Sequence, residues 1–232
     1  MRVVFVHGAC VKDGAWWWSP TAALLEERGV RSVAPLLPSC GEGDTQPGID
    51  GPGLSEDIAA VRHELLASQE DTIVVGHSYG GIVAAEAAAG VASIRHLVLI
   101  SSYLPEIGQS LSAFSGDSGP APFLEANLEA GTFTVRPELL AETFLQDCSP
   151  DVQEEATRHL AVQSLRVTGE PVAAAAWHEV PSTYLVCTDD RGTPAASQRR
   201  FALRASSVVE IAAGHHPFLS QPGAVRDLLL SI

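Results

Sequence analysis

Six short runs of β-branched and aliphatic residues, at positions 3–6, 32–36, 72–75, 96–100, 183–187 and 208–211, constrain the fold of this chain more than any other feature. They are apolar without alternation, the pattern of strands buried on both faces, and turn residues bound them. Helical patterns with legible ends lie between most of them. Ser19-Pro20 reads as a cap followed by proline at the first helical position, with Leu24, Leu25 and Arg28 next and Gly29 as the stop. Ser55, Glu56 and Asp57 open a second helix that carries Ile58, Val61, Leu65 and Leu66 at helical spacing. A third runs from Ser78 to Gly90 and a last covers 224–230. Such alternation gives βαβ units, hence an α/β fold with a mainly parallel six-stranded sheet flanked by helices.

The rhythm breaks once. Residues 105–176 show no clear strand, only Gly, Ser, Pro and short amphipathic pieces such as 138–145 and 152–165. That is too long for an ordinary loop, so it is expected to be a mostly helical cap inserted between the fifth and sixth strands, with 1–104 and 177–232 forming the core. A length of 232 residues fits one large domain carrying an insertion. The 28 Asp and Glu against 14 Lys and Arg give a formal charge of −14, which repels phosphate backbones and anionic membranes, so neither nucleic acid nor membrane is expected as a partner. The opening apolar run 3–6 is shorter than a signal-peptide core of about 7–15 residues. Cys10, Cys40, Cys148 and Cys187 are scattered without a C-x-x-C pair, so a cytoplasmic location with isolated thiols and no metal site is expected.

The third run ends in Gly76-His77-Ser78-Tyr79-Gly80-Gly81 and passes directly into a helix. This matches G-x-S-x-G, in which small residues permit a sharp strand-to-helix turn that lifts the serine above the sheet, and the strand and helix around it are the context the motif requires. Ser78 is the candidate nucleophile. A serine hydroxyl needs a base, and the base needs a third group to hold its tautomer. In a sheet of this kind these follow in the order acid then histidine, beyond the ends of later strands. Run 183–187 is followed by Asp189-Asp190, and run 208–211 by Gly214-His215-His216. Spacing leaves Asp189 and Asp190 open, with Glu106 a more remote choice. His215 is preferred to His216 because it directly follows Gly214, where the loop can turn inward. His63, His96, His159 and His178 read as surface or packing residues.

Acyl transfer also needs donors aimed at the developing oxyanion. The backbone N–H of Tyr79 is one candidate, and that of Ala9, in the loop His7-Gly8-Ala9-Cys10, is the other, with Gly8 allowing close approach and His7 bracing the loop. Trp16-Trp17-Trp18 reads chiefly as packing of the first helix on the sheet, with Trp17 offered to a pocket. Phe114, Phe123, Phe133, Phe144, Leu145 and Phe218 are either an apolar pocket roof or the insertion's own small core; Phe123, Phe144 and Phe218 join Trp17 as pocket candidates.

These residues resemble the α/β-hydrolase superfamily, and within it the branch that holds plant methyl-ester esterases of the salicylate-binding type, hydroxynitrile lyases and small bacterial esterases. The likeness rests on His7-Gly8-Ala9-Cys10 with Gly14-Ala15-Trp16, on 76–81, on Cys187-Thr188-Asp189-Asp190-Arg191 with Pro194 and Gln198, and on 214–222. The insertion matches only loosely. The resemblance implies Ser78, Asp190 and His215 as the triad, the Ala9 and Tyr79 amides as the oxyanion hole, and no metal or organic cofactor. It implies a serine esterase acting on a small to medium, largely apolar carboxylic ester through an acyl-enzyme. Hydroxynitrile lyases of this branch carry threonine in place of Gly8 and lysine in place of His216, so these departures weigh against lyase chemistry. A small-molecule sensor on the same fold, or a C–C hydrolase or lyase, are the alternatives.

Overall fold

The computed structural model describes residues 1–114 and 121–232; positions 115–120 of the expected insertion lie outside the described residues. The chain runs through β1 (Arg2–Val6), α1 (Gly14–Glu26), β2 (Arg31–Val33), α2 (Leu54–Leu66), β3 (Thr72–His77), α3 (Gly80–Ala87) and β4 (Ile94–Ile100). It continues through β5 (Leu124–Asn127), β6 (Thr132–Val135), α4 (Pro137–Phe144), α5 (Pro150–Ala156), β7 (Gln163–Ser164) and α6 (Arg166–Gly169). It ends with β8 (Ser182–Cys187), α7 (Ala195–Ala202), β9 (Ser207–Ile211), α8 (Pro217–Ser220) and α9 (Pro222–Leu230).

Six strands pair in parallel in the order β2-β1-β3-β4-β8-β9. The chain steps outward from β1 to β2, then crosses back to β3 and proceeds the other way. The order therefore reverses between β1 and β3, and the loops leaving those two strands diverge to open a crevice at their carboxyl ends. Right-handed crossovers in opposite directions put α1 and α2 on opposite faces. α1 packs with α8 and α9, and α2 with α3. Strands β1, β3 and β8 are buried along their whole length, with apolar runs at the centre of each and a few buried polar residues at their ends.

Several expectations are corrected. The insertion leaves the sheet after its fourth strand and returns in the fifth, not between the fifth and sixth, because only four of the six strands precede it. Beside its helices it holds an antiparallel sheet in the order β5-β6-β7. Its strands have four, four and two residues, and β5 is mostly exposed and polar, too short and too mixed to leave a period-two signal. The 152–165 piece is helical only to Ala156, passes through a 3-10 turn and ends in β7. Strand β9 is the sheet edge and is largely exposed rather than buried on both faces. Pro20 lies inside α1 and does not open it. The Trp16 carbonyl that would have accepted a Pro20 N–H instead accepts the Ser19 hydroxyl at 2.8 Å, so the missing donor is replaced one residue earlier. Among the described residues no helix is long and apolar enough to cross a membrane.

Candidate active site

β3 delivers Ser78 with φ 51°, the left-handed region that costs any residue with a Cβ. The glycines around it make the turn sterically feasible: a Cβ on Gly80 would lie 2.4 Å from the Val6 and His7 oxygens, and one on Gly76 would lie 2.6 Å from Gly81 Cα. Hydrogen bonds over-determine the bend. The Ser78 N–H donates to Ile100 O at 3.2 Å, while Ser78 O accepts the Gly81 N–H at 3.1 Å and the Ser102 hydroxyl at 2.7 Å.

The loops after β8 and β9 bring an acid to a histidine. His215 Nδ1–H donates to Asp190 Oδ2 at 2.8 Å, and the pair is almost wholly buried. That bond assigns the tautomer and leaves Nε2 as the unprotonated ring nitrogen. Asp190 Oδ1 accepts the Gly192 and Thr193 N–H groups at 2.8 and 2.9 Å, and Oδ2 also accepts Gln198 Nε2 at 2.8 Å. Burial pushes the Asp190 carboxyl up, but the charge and hydrogen bond of His215 and the two amides outweigh it and hold the group below its ordinary value. Gln198 is itself oriented by the Cys187 N–H, which donates to Oε1 at 2.9 Å. Asp189 takes no part; its carboxyl accepts the Thr188 hydroxyl at 3.4 Å. Glu106 pairs with His178 at 3.1 Å and Arg204 at 3.6 Å, away from His215.

The loop after β1 comes against Ser78. A Cβ on Gly8 would lie 3.2 Å from Ser78 Cβ and 3.1 Å from His77 Nδ1, which is why glycine suits this position. Ala9 and Tyr79 line the same cavity as Ser78, and among the described residues neither backbone N–H has a hydrogen-bond partner. His7 braces the loop: Nδ1 donates to Gly8 O and Nε2 faces Glu42 Oε2, both at 2.9 Å. Glu42 also accepts the Asp13 N–H at 2.8 Å and the Leu37 N–H at 2.7 Å. Burial raises the Glu42 carboxyl, yet these partners leave it net lowered.

The cavity measures about 640 Å³ and is lined by Trp17, Tyr103, Phe123, Phe133, Phe144 and Phe201 together with Ser78, His215 and His216. No Lys, Arg, Asp or Glu lines it among the described residues. Phe218, expected in the pocket, is not part of the lining. It is the second residue of α8 and lies buried in the core, stacked on Trp18 with ring centres 3.9 Å apart and edge-on to His77 at 4.8 Å. Trp18 also stacks on Phe5 at 4.3 Å, Trp16 stacks on His159 at 4.2 Å, and Trp17 donates its indole N–H to Lys12 O at 3.0 Å. His216 Nδ1–H donates to Phe144 O at 3.0 Å. Burial, reinforced by neighbouring His215, pushes His216 down to about 3, so it is a neutral wall of the cavity. Gln198, Glu42 and the buried Asp57 received no site role from sequence. Gln198 was only part of a matching segment, and Asp57 looked like an ordinary acid in the first turn of a helix.

Residues 3–228 match the model of the alpha/beta hydrolase family. The chain is 30% identical over 221 residues to alpha/beta hydrolase nvfD of Aspergillus novofumigatus, covering 88% of this chain and 86% of that protein. It is 27% identical over 252 residues to methylesterase 9 of Arabidopsis thaliana, covering 99% and 96%. Among solved structures, a pyrethroid hydrolase from Sphingobium faniae superposes with a TM-score of 0.86 at 24% identity, covering 100% and 96%. A parallel sheet that gathers a strained serine and a histidine–aspartate pair at its carboxyl edge is thus found where the sequence match also extends over nearly the whole chain, and the chain belongs to the alpha/beta hydrolase family.

Proposed function

We propose that this chain is a serine esterase that hydrolyses a small to medium, uncharged and largely apolar carboxylic ester. The observation that carries the reading is that Ser78, on its strained turn, and His215, held by Asp190, open onto one aromatic cavity. Ser78 Oγ attacks the ester carbonyl while His215 Nε2 takes its proton. The tetrahedral oxyanion is held by the Ala9 and Tyr79 amides, and the imidazolium, stabilised by Asp190, returns the proton to the departing alcohol. Water activated by His215 then releases the acid from Ser78.

The similarity to a protein named as a methylesterase supports ester cleavage. Two features favour hydrolysis over cyanohydrin cleavage. Position 8 is glycine, with no hydroxyl to hold a second oxygen, and His216 is neutral, with no cation to stabilise a leaving anion. Residues 105–176 act as the cap that sets substrate shape over the core of 1–104 and 177–232. Four free thiols fit a cytoplasmic setting. The test pairs fluorophosphonate labelling with a p-nitrophenyl ester series of increasing acyl length on wild type and Ser78→Ala. Labelling and turnover in wild type, with turnover reduced by ~10³-fold or more in the variant, are expected. Hydrolysis by Ser78→Ala near the wild-type rate overturns the assignment, and tight saturable ligand binding without turnover in wild type points to a sensor.

A further inference from the structure

One buried carboxylate connects to both residues that flank the assigned oxyanion hole: directly to the Tyr79 hydroxyl, and through Ser39 and Gln163 to the N–H of Cys10, the residue after Ala9. Asp57, in the first turn of α2, is fully buried and takes no part in the acyl-transfer steps. Its Oδ2 accepts the Tyr79 hydroxyl at 2.7 Å and the Ser39 hydroxyl at 2.5 Å, and its Oδ1 accepts the Ser39 N–H at 2.9 Å. Ser39 Oγ in turn accepts Gln163 Nε2 at 2.9 Å, and Gln163 Oε1 accepts the Cys10 N–H at 2.9 Å. One end of this relay is the side chain of Tyr79, whose own N–H is one oxyanion donor. The other end is the residue after Ala9, whose N–H is the second.

The Cys10 end needs such a restraint. Cys10 has φ 58°, an unfavourable conformation for a residue with a side chain, so the peptide plane between Ala9 and Cys10 must be held from outside. The insertion supplies the hold on three sides: Gln163 takes the Cys10 N–H, the Ala161 N–H donates to Cys10 O at 2.8 Å, and His159 O accepts the Lys12 N–H at 2.9 Å. All five members of the relay are buried, where satisfied polar networks are stiff and half-satisfied ones are costly.

We propose that Gln163, coupled to Asp57 through Ser39, is a positioning residue of the oxyanion hole: by holding the Cys10 N–H it fixes the backbone one peptide beyond the Ala9 N–H, so that this amide stays aimed with that of Tyr79. The inference rests on the esterase reading above. It makes the insertion, which shapes the cavity, also a part of what stabilises the transition state.

Gln163→Met keeps length and removes both hydrogen bonds, while Tyr79→Phe cuts the other end and leaves the backbone amide in place. For p-nitrophenyl ester hydrolysis, Gln163→Met is expected to lower kcat about tenfold, less than the ~10²–10³ of losing an oxyanion donor outright, with KM within about twofold. An aryl trifluoromethyl ketone, whose hemiketal oxygen occupies the hole, should weaken by the same factor, whereas the matching methyl ketone binds as before. Tyr79→Phe should show the same split, and serves if the methionine variant does not fold. Unchanged kcat and ketone affinity, or equal weakening of both ketones, overturn the inference while leaving the esterase assignment intact. A wild type that neither labels nor hydrolyses removes both.

Discussion

At the carboxyl end of the parallel sheet the backbone is strained and pinned by close backbone approaches that only glycine allows, whereas in the insertion the strands are two to four residues long and are held by side-chain bonds such as those of Gln163. Ser78 is bent by glycines within four positions of it. Gln163, by contrast, is fixed by residues 153 and 124 positions away. The first kind of order shows in the sequence as glycines around the serine and serves chemistry that tolerates little displacement. The second is encoded by packing and can change the shape of the cavity while the sheet edge stays as it is.

The largest expected effect lies on the sheet edge. Asp190→Asn preserves shape but lets the carboxamide present a donor toward His215, disfavouring the tautomer that leaves Nε2 free. It should lower kcat by ~10³-fold or more. Asp189→Asn, one residue away, should stay within about twofold. Steady-state rates on one p-nitrophenyl ester check both, and comparable losses in the two variants would show that the loop as a whole, rather than the Asp190–His215 bond, is what matters.

The same contrast explains what the sequence could convey. Buried parallel strands read as unbroken apolar runs, so β1, β3 and β8 were legible, and G-x-S-x-G carries its own steric reason. Asp190 was inseparable from Asp189 by spacing because neighbouring loop residues differ only in which way the turn points them. That direction is set by the Gly192 and Thr193 amides and by Gln198. Strand β9 misled because Val208 and Val209 have the same composition at an edge as in a centre. β5 and β7 left no pattern because neither is long enough to show one. Phe218 misled for a related reason: position beside the histidine loop says nothing of which side of the loop the ring takes.

An intermediate effect is expected in the insertion. Phe144, on α4, is mostly buried, lines the cavity and sits with its ring 5.0 Å from that of His215. It also meets Phe123 edge-on at 4.8 Å. Phe144→Ala should shift the acyl-length optimum toward longer esters and change kcat/KM for short ones by about tenfold, while fluorophosphonate labelling of Ser78 persists. Removing a buried aromatic ring also costs roughly 3 kcal/mol of stability, visible as a lower Tm. An unchanged chain-length profile would mean that the insertion does not read the acyl group, and the division of labour between the two regions would have to be redrawn.

The smallest effect concerns the seam, where His216 from the core donates to Phe144 O of the insertion. His216 is pushed down to about 3 by burial and by His215, so in the folded state it stays neutral while the unfolded chain titrates near 6.5. Its contribution is complete above pH 6.5 and is lost as pH falls, because the unfolded state takes up a proton that the folded state refuses. His77, lowered by burial and by its histidine neighbours, acts in the same direction. Asp57 opposes them: burial raises it to about 6, so between pH 6 and 4 the folded state binds a proton that the unfolded state does not. Asp190 is lowered and loses its contribution only below the ordinary carboxylate range. With about 1.4 kcal/mol per pH unit for a fully shifted group, His216 alone contributes a loss of roughly 2 kcal/mol between pH 7 and pH 5, and Asp57 offsets part of it. Urea unfolding at pH 7, 6 and 5 should show an acid loss in wild type that is smaller by roughly 2 kcal/mol in His216→Asn, which retains a donor for Phe144 O but has nothing to titrate. An identical acid loss in the variant would move the pH sensitivity away from the seam and onto the histidines of the sheet edge.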